Sequence, residues 1–227
     1  MSKTLFRRWI QRETLKNLEL ANKPTKGSLP SDKALTSIKG DLYDKWLDFV
    51  NRYPENLSVK WVHGASEKDS PNAMVLKPFV LLEHNFRDLQ KKNYTVERAH
   101  QGNSYVHCRV GGQNLFGSIQ TIFVSDQIPG AIFLEVAIFV DIDKSIGAPD
   151  PFRHLANLHY RLLVRPNPPQ TIVLRDKEVV GLIAVLTNPP GVFGIDITTL
   201  SVAIVHHMVR HCSFVFSLTS KASGSIL

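Results

Sequence analysis

The feature that most constrains the fold is a series of short β-rich segments between Gly102 and Val205. Turn residues separate them: Gly111-Gly112 and Pro129-Gly130 predict tight turns, and the Pro-rich stretches 165–169 and 188–191 predict rigid loops. The predicted strands are residues 103–110, 115–124, 131–142, 158–165, 171–175, 179–186 and 197–205. Turn signals at this spacing predict an antiparallel β-barrel or β-sandwich.

Two amphipathic helices are predicted ahead of this region, joined by a linker at residues 21–30. The first covers residues 3–20. The second runs from an N-cap at Ser31 to about Arg52 and ends before Tyr53-Pro54. Their expected buried stripes are Leu5, Phe6, Trp9, Ile10 and Leu20 in the first helix, and Leu35, Ile38, Leu42, Trp46, Phe49 and Val50 in the second.

Residues 57–100 have a mixed pattern. Residues 57–62 and 94–98 alternate like strands, 64–72 read as a polar loop, and 79–91 fit either a short helix or a strand and turn. We therefore expect an α+β chain with N-terminal helices followed by a mostly antiparallel β-barrel or sandwich. The predicted divisions are a basic helical lead-in (1–56), a connecting segment (57–100), the β-domain (101–210) and a disordered tail (211–227).

The chain is basic, with a formal net charge of +7. Residues 1–60 hold 12 Lys and Arg against 7 Asp and Glu, whereas residues 101–140 carry a net charge of −1. An acidic partner such as nucleic acid and a solvated basic face that binds nothing explain this equally well. If nucleic acid is bound, the predicted phosphate contacts are Arg7, Arg8, Arg12 and Lys16 in the lead-in, and Arg153, Arg161, Arg165, Arg175 and Lys177 in the β-region.

The cellular setting follows from the cysteine content and the absence of a secretory signal. Two cysteines do not make a disulfide framework, and residues 3–20 are charged throughout. We therefore expect the nucleus or the cytoplasm. The apolar stretch from Leu200 to Leu218 contains Arg210 and three histidines, which makes a membrane span costly, so no membrane partner is expected.

Catalytic chemistry has little support in the sequence. His206, His207, His211 and Cys212 are close together, and His207 and His211 have helical i, i+4 spacing, but they follow directly on a predicted strand and lack the flanking Glu of a His-Glu-x-x-His zinc site. Cys108 is predicted to be a small buried hydrophobe, and Asp141 and Asp143 to belong to a solvated turn. We expect no catalytic residue, metal, cofactor or small-molecule substrate. The aromatic residues of the β-region are expected in the core: Tyr105, Phe116, Phe123, Phe133 and Phe139.

Five short motifs in the β-region form a recognisable order. They are Tyr94-Thr95-Val96 with Gly102–Val106, then Phe116–Phe123, Ile132–Val140, Val180–Val185 and Asn188–Asp196. Over about residues 75–205 this pattern resembles the C-terminal accessory region of transposases from fungal DNA transposons of the Plavaka and KDZ type. It is also similar to bromo-adjacent-homology chromatin modules, which are β-barrels used for docking.

The resemblance implies a docking function. In such transposases the catalytic acidic core lies upstream, so we expect a C-terminal piece without catalytic residues. The first hypothesis is a non-catalytic docking module of transposon origin that contacts DNA, chromatin or protein. Two alternatives stay open: a structural protein-interaction domain without nucleic acid, and a small metal- or Cys-dependent enzyme.

Overall fold

The computed structural model describes residues 35–52, 59–64, 73–154 and 160–204, all within a compact unit that begins at Leu35. The predicted first helix and linker, most of the 64–72 loop, the histidines and cysteine at 206–212 and the predicted tail lie outside the described residues.

The described residues form two α-helices and thirteen strands. The helices are Asp41–Arg52 (α1) and Ile142–Ile146 (α2). The strands are Thr36–Ser37 (β1), Lys60–Val62 (β2), Ala73–Val75 (β3), Phe79–Glu83 (β4), Asn85–Arg87 (β5), Asn93–Thr95 (β6), Tyr105–Val110 (β7), Gln113–Val124 (β8), Ile132–Asp141 (β9), Tyr160–Val164 (β10), Thr171–Arg175 (β11), Val179–Asn188 (β12) and Thr199–Ile204 (β13).

Six strands close into an antiparallel barrel in the order β7-β8-β9-β10-β13-β12, and β12 pairs back with β7. The prediction of an α+β chain with a barrel or sandwich is therefore confirmed, and the architecture is a barrel. Each of the seven predicted strands of this region is present, with ends that differ by at most two residues. The alternation of apolar and polar residues and the position of turn-forming residues locate strands well, because both are properties of a short stretch of sequence.

The barrel interior is apolar. It is filled by a cluster to which every barrel strand contributes one or two side chains: Tyr105, Phe116, Phe139, Leu163, Ile183, Leu200 and Val202. Such filling is expected for a small barrel, whose inward-facing residues occupy the whole lumen. The prediction that the aromatic residues of the β-region serve the core is confirmed, since all five are buried.

Strands β8 and β9 extend beyond the barrel and carry α1. The end of β8 pairs with β4, and the start of β9 pairs with β11, which continues the sheet past the barrel. Trp46 of α1 packs on this extension, with its ring 5.5 Å from Phe123 and 5.6 Å from Phe133. The apolar face of α1 is buried there, and acidic residues in its first turn suit the positive end of the helix dipole.

The second predicted helix begins later than expected. Thr36 and Ser37 form β1 and pair with Val80 and Phe79, and the main-chain N–H of Ile38 donates to Pro78 (2.9 Å). The prediction of helix from Ser31 was wrong for residues 35–40. Thr36 and Ser37 pair with β4, which is distant in sequence, instead of forming a helical turn. Leu35, predicted as buried, is 61% exposed. The helix continues to Arg52, and the predicted end before Tyr53-Pro54 lies at the border of the described residues.

The alternatives left open for residues 79–91 resolve as strands and a turn, formed by β4 and β5. The strand predicted at 94–98 ends at Thr95, because the chain turns there and the N–H of His100 donates to the carbonyl of Val96 (3.2 Å). None of the helices in the described ranges has the length and apolar character that a membrane crossing requires.

Candidate functional site

A β-bulge in β8 lies beside a polar cluster at the surface of the barrel. Ile119 and Thr121 pair with the consecutive β9 residues Val136 and Glu135, so Gln120 is one residue too many for the ladder. Bulges re-aim a side chain and often lie beside functional sites. The bulge pocket, a groove of about 270 Å³, is lined by Gln120, Glu135, Ala137, Arg165, Pro169 and Thr171.

An ion pair spans this cluster. The Arg165 guanidinium contacts both carboxylate oxygens of Glu97, at 2.6 and 3.4 Å. The Gln120 amide donates to Glu97 (2.7 Å) and to the Ser118 hydroxyl oxygen (2.8 Å). Burial acts to raise the pKa of Glu97, but hydrogen bonds from Arg165, Gln120 and Ser118 outweigh it and hold that pKa below its ordinary value. The cluster therefore ties the turn after β6 to β8 and to the end of β10.

A second opening lies where β8 and β9 diverge. The β8 strand starts at Gln113, but its ladder with β9 starts only at the pair Phe116 and Phe139. Beyond that pair, β9 continues to Asp141 and pairs with β10 instead. The mouth cleft, about 470 Å³, is lined by Gln113, Asn114, Leu115, Phe116, Ile138, Phe139, Val140, Asp141, Lys144 and Arg161.

The rim of the mouth cleft is charged and its floor is apolar. Asp141 lies 3.4 Å from the guanidinium of Arg161 and 3.3 Å from the ammonium of Lys144. The Arg161 guanidinium also lies over the Phe116 ring, 5.6 Å from its centre. Phe116 and Phe139 belong to the barrel interior and stay buried beneath this cleft. An apolar floor with a few charged groups around it is a typical binding surface.

The predicted phosphate-binding residues of the β-region do not form one surface. Arg165 pairs with Glu97 at the bulge pocket, which also contains Thr171 at the start of β11. Arg175 ends that strand, about 13 Å further along. Lys177 follows in a 3₁₀ turn, where the main-chain N–H of Arg175 donates to Glu178 (2.8 Å).

Other predicted contacts are placed as follows. Arg161 pairs with Asp141 at the mouth cleft, and Arg153 follows a turn in which its N–H donates to the carbonyl of Asp150 (3.1 Å). The four lead-in residues, Arg7, Arg8, Arg12 and Lys16, lie outside the described residues. Their contact with phosphate stays a prediction.

The cysteine and histidine of β7 are both buried. Cys108 packs in an apolar cluster with side chains of β8 and β9, and burial, followed by the nearby Glu178 carboxylate, raises the pKa of its thiol. A thiol of this kind is inert because the thiolate is the nucleophile. His107 stacks on Phe116 with ring centres 5.0 Å apart, and its Nε2 lies 3.0 Å from the Asn114 amide oxygen. The prediction that Cys108 is a buried hydrophobe is confirmed.

The carboxylates are the remaining candidates for metal ligation. Within the described ranges, no group of three or more His, Cys, Asp or Glu side chains is arranged to hold a metal ion. Asp141 pairs with two cations, while Asp143 accepts a hydrogen bond from the N–H of Lys144 (2.9 Å). These two acidic residues therefore have structural partners at the end of β9.

Sequence reasoning missed the residues that shape both openings, namely Glu97, Gln120, Asn114 and Lys144. One of them has a signal in the sequence. Ile119 and Ile122 flank the polar pair Gln120-Thr121, so strict alternation fails there and a bulge is indicated. The others are ordinary polar residues near turns. Their importance depends on where non-adjacent strands meet.

Comparisons with known proteins add no relationship. No protein-family model matches this chain, and no curated protein sequence or solved structure is significantly similar to it.

Proposed function

We propose that this chain is a non-catalytic docking module whose barrel anchors a basic N-terminal segment that contacts DNA. The observation that carries this proposal is the distribution of charge. Residues 1–34 hold 8 Lys and Arg against 3 Asp and Glu, a net +5 of the chain's total of +7. Clustered cations of this kind bind phosphate backbones with little sequence preference.

The ion pairs of the barrel agree with this division of roles. Arg161 and Arg165 each contact a carboxylate and lie over a phenylalanine ring. A phosphate would have to displace Asp141 or Glu97 to reach them. The lead-in residues Arg7, Arg8 and Arg12 are therefore the proposed principal contacts, with Arg165, Arg175 and Lys177 in a minor role.

The proposal is tested by measuring the affinity of the full chain for a short labelled DNA duplex by fluorescence anisotropy. We expect binding at low salt that weakens steeply between about 50 and 200 mM salt, because each neutralised phosphate releases counterions. A failure to bind at the low-salt end of that range would contradict the proposal.

A second candidate function is protein interaction without nucleic acid. The mouth cleft favours it, since the diverging ends of β8 and β9 leave an opening with a charged rim. Under this alternative the basicity of residues 1–34 is incidental. The DNA titration separates the two candidates, because only the first requires salt-dependent binding.

We also propose an origin in a transposable element and a location in the nucleus or cytoplasm. The support is the order of short motifs shared with the C-terminal accessory region of Plavaka and KDZ-type transposases, and chromatin is then a natural partner. The genomic neighbourhood tests this origin. An upstream reading frame that encodes a transposase acidic core is expected, and a neighbourhood without transposon remnants would contradict it.

A further inference from the structure

The hairpin of β5 and β6 is a small antiparallel ribbon beside the barrel. Among the described strands its two members pair only with each other, as a sheet of their own. The root of the ribbon is buried, because the rings of Phe86 and Tyr94 stack 4.8 Å apart and pack in the apolar cluster with side chains of β7, β8 and β9. Residues 88–92 form the tip at the other end. The core therefore anchors the ribbon at its root.

One carboxylate fixes the conformation of this tip. Oδ1 of Asp88 accepts hydrogen bonds from the main-chain N–H groups of Gln90 (2.9 Å) and Lys92 (2.8 Å). Its Oδ2 accepts a further bond from the Tyr94 hydroxyl (3.1 Å). The main-chain N–H of Asp88 also donates to the carbonyl of Lys92 (3.1 Å). The tip is therefore held in one shape, and the negative charge of Asp88 faces donors within the hairpin itself.

Leu89 lies at the end of this ordered tip and is 104% exposed. On an unstructured loop such a side chain could fold back onto the protein surface, but the hydrogen bonds of Asp88 hold it out in solvent. Single exposed leucines are common on protein surfaces. The charges beside Leu89 therefore decide what it can contact.

Three cations surround Leu89, and they lie on both faces of the ribbon. The stacked rings at the root face the core, so the alternation of side chains places Arg87 on the opposite face. Lys92 is on the core side, where its ammonium lies 3.9 Å from the position of a Cβ on Gly181 of β12. Lys91 is in the turn between them. Within the described part of the chain, none of the three cations is paired with a carboxylate.

We propose that the tip of the β5–β6 hairpin enters the major groove of duplex DNA. Arg87 and Lys92 would contact phosphates on the two walls of the groove, and Leu89 would pack against base edges such as thymine methyl groups. The major groove, about 12 Å wide, admits a two-stranded β-ribbon. This inference rests on the proposed DNA binding and adds a contact on the barrel to that of residues 1–34.

A lipid surface is the competing partner for an apolar tip with basic neighbours. Even a whole myristoyl chain binds a bilayer only marginally, and the side chain of Leu89 buries far less apolar surface. Cations on opposite faces of a narrow ribbon also suit a groove with phosphates on both walls better than a flat anionic surface. The observations therefore favour DNA.

The test measures the affinity of the full chain for a labelled duplex by fluorescence anisotropy over a series of salt concentrations. Arg87→Gln with Lys91→Gln should weaken binding and lower the slope of log affinity against log salt by about 1–2 units, because each lost phosphate contact releases fewer counterions. Both side chains are exposed, so the substitutions should not unfold the protein. The matched control is Lys39→Gln with Lys60→Gln, which should leave the slope nearly unchanged.

Leu89→Ser separates the apolar contact from the charges. It should weaken DNA binding by about fivefold at every salt concentration and leave the slope unchanged, since no phosphate contact is lost. Leu186→Ser is the control at another exposed leucine, 52% exposed on β12, and should change affinity by less than about twofold. Thermal unfolding should show that both serine variants remain folded.

The outcomes distinguish this inference from the proposed function. Hairpin variants with wild-type affinity and slope would overturn the hairpin contact, and weaker binding by the Arg7→Glu, Arg8→Glu and Arg12→Glu variant would then leave the N-terminal proposal standing. Failure of the wild type to bind DNA at low salt would overturn both. Sedimentation with phosphatidylserine-containing vesicles examines the lipid surface. Cosedimentation that Leu89→Ser abolishes, with DNA affinity unchanged, would also overturn the DNA assignment of the tip.

Discussion

Gln120 shows how a single extra residue reorganises the surroundings of a strand. The two isoleucines that flank the bulge, Ile119 and Ile122, point into the same apolar cluster although they are three residues apart. The bulged side chain is thereby turned toward Ser118 and Glu97 and completes the cluster that Arg165 closes. The local cost of an unpaired ladder position is offset by hydrogen bonds to a partly buried carboxylate.

The ion pair between Glu97 and Arg165 predicts a pH-dependent contribution to stability. Because the folded-state pKa of Glu97 is lowered, the stabilisation is present above the ordinary glutamate pKa of about 4.3 and is lost as pH falls through the lower folded value. Arg165→Met should therefore reduce the free energy of unfolding by about 0.5–1 kcal/mol at neutral pH, because the Arg165 side chain is 40% exposed and solvent screens part of the interaction.

Urea titrations at several pH values check this expectation. The difference between wild type and Arg165→Met should shrink toward zero in acid. The matched control is Arg98→Met at an exposed neighbouring position, expected to change stability by less than about 0.5 kcal/mol. A difference for Arg165→Met that stays constant down to strongly acidic pH would contradict the role assigned to Glu97.

The thiol of Cys108 should be unreactive while the protein is folded. It is fully buried, and burial raises its pKa, so little thiolate forms near neutral pH. Iodoacetamide labelling followed by peptide mass spectrometry should show slow modification of Cys108 in buffer and rapid modification in denaturant. Rapid labelling of the native protein at this position would show that β7 opens readily.

At the scale of elements, strands were more predictable than the helix and the openings. The seven barrel strands follow from alternation and turn residues within each segment. The start of α1 depends instead on the pairing of Thr36 with Val80, which no local pattern encodes. The mouth cleft is harder still, since it exists because the β8–β9 ladder starts three residues after β8 begins. The point at which two strands separate depends on how the whole barrel closes.

The close approach of β8 to β9 predicts a sharp difference between two glycines. A Cβ at Gly117 would lie 2.4 Å from the Ala137 carbonyl oxygen and 2.7 Å from a Val136 methyl group, whereas the nearest atom to a Cβ at Gly181 is 3.9 Å away. Gly117→Ala should cost about 1–3 kcal/mol or more of unfolding free energy through overpacking. Gly181→Ala should be neutral or slightly stabilising. Urea denaturation of both variants measures this, and equal effects would refute the predicted strand spacing.

The docking of α1 depends on Trp46. Its ring is fully buried against Phe123 and Phe133, and no hydrogen-bond partner for its indole N–H is found among the described residues. Trp46→Ala should therefore destabilise the fold by about 3–5 kcal/mol. Trp46→Phe keeps an aromatic ring and removes a buried donor, so it should cost much less.

Thermal and urea unfolding of the two Trp46 variants provide the measurement. Asp48→Ala is the control on the outer face of α1, where the ion pair with Arg52 is largely exposed and contributes little. If Trp46→Phe proved as damaging as Trp46→Ala, the indole N–H would have a stabilising partner after all.

In the whole molecule, most of the excess positive charge and the barrel belong to different parts of the chain. The barrel supplies a closed scaffold with ion-paired arginines and two polar openings, while residues 1–34 carry most of the excess positive charge. This division explains why a basic chain of this kind can contain a β-region that is close to neutral. It also allows the proposed nucleic-acid binding to be tested separately from the proposed protein docking by substitution.

The most direct test of DNA binding through the N-terminal segment is the salt dependence of DNA affinity in matched variants of the full chain. The slope of log affinity against log salt should fall by about one unit for each phosphate that the variant no longer neutralises. Arg7→Glu, Arg8→Glu and Arg12→Glu together should therefore reduce the slope by about 2–3 units. The same charge change at exposed Lys39, Lys60 and Lys77 should leave it nearly unchanged. Equal slopes for the two triple variants would contradict a docking module that holds DNA through its N-terminal segment.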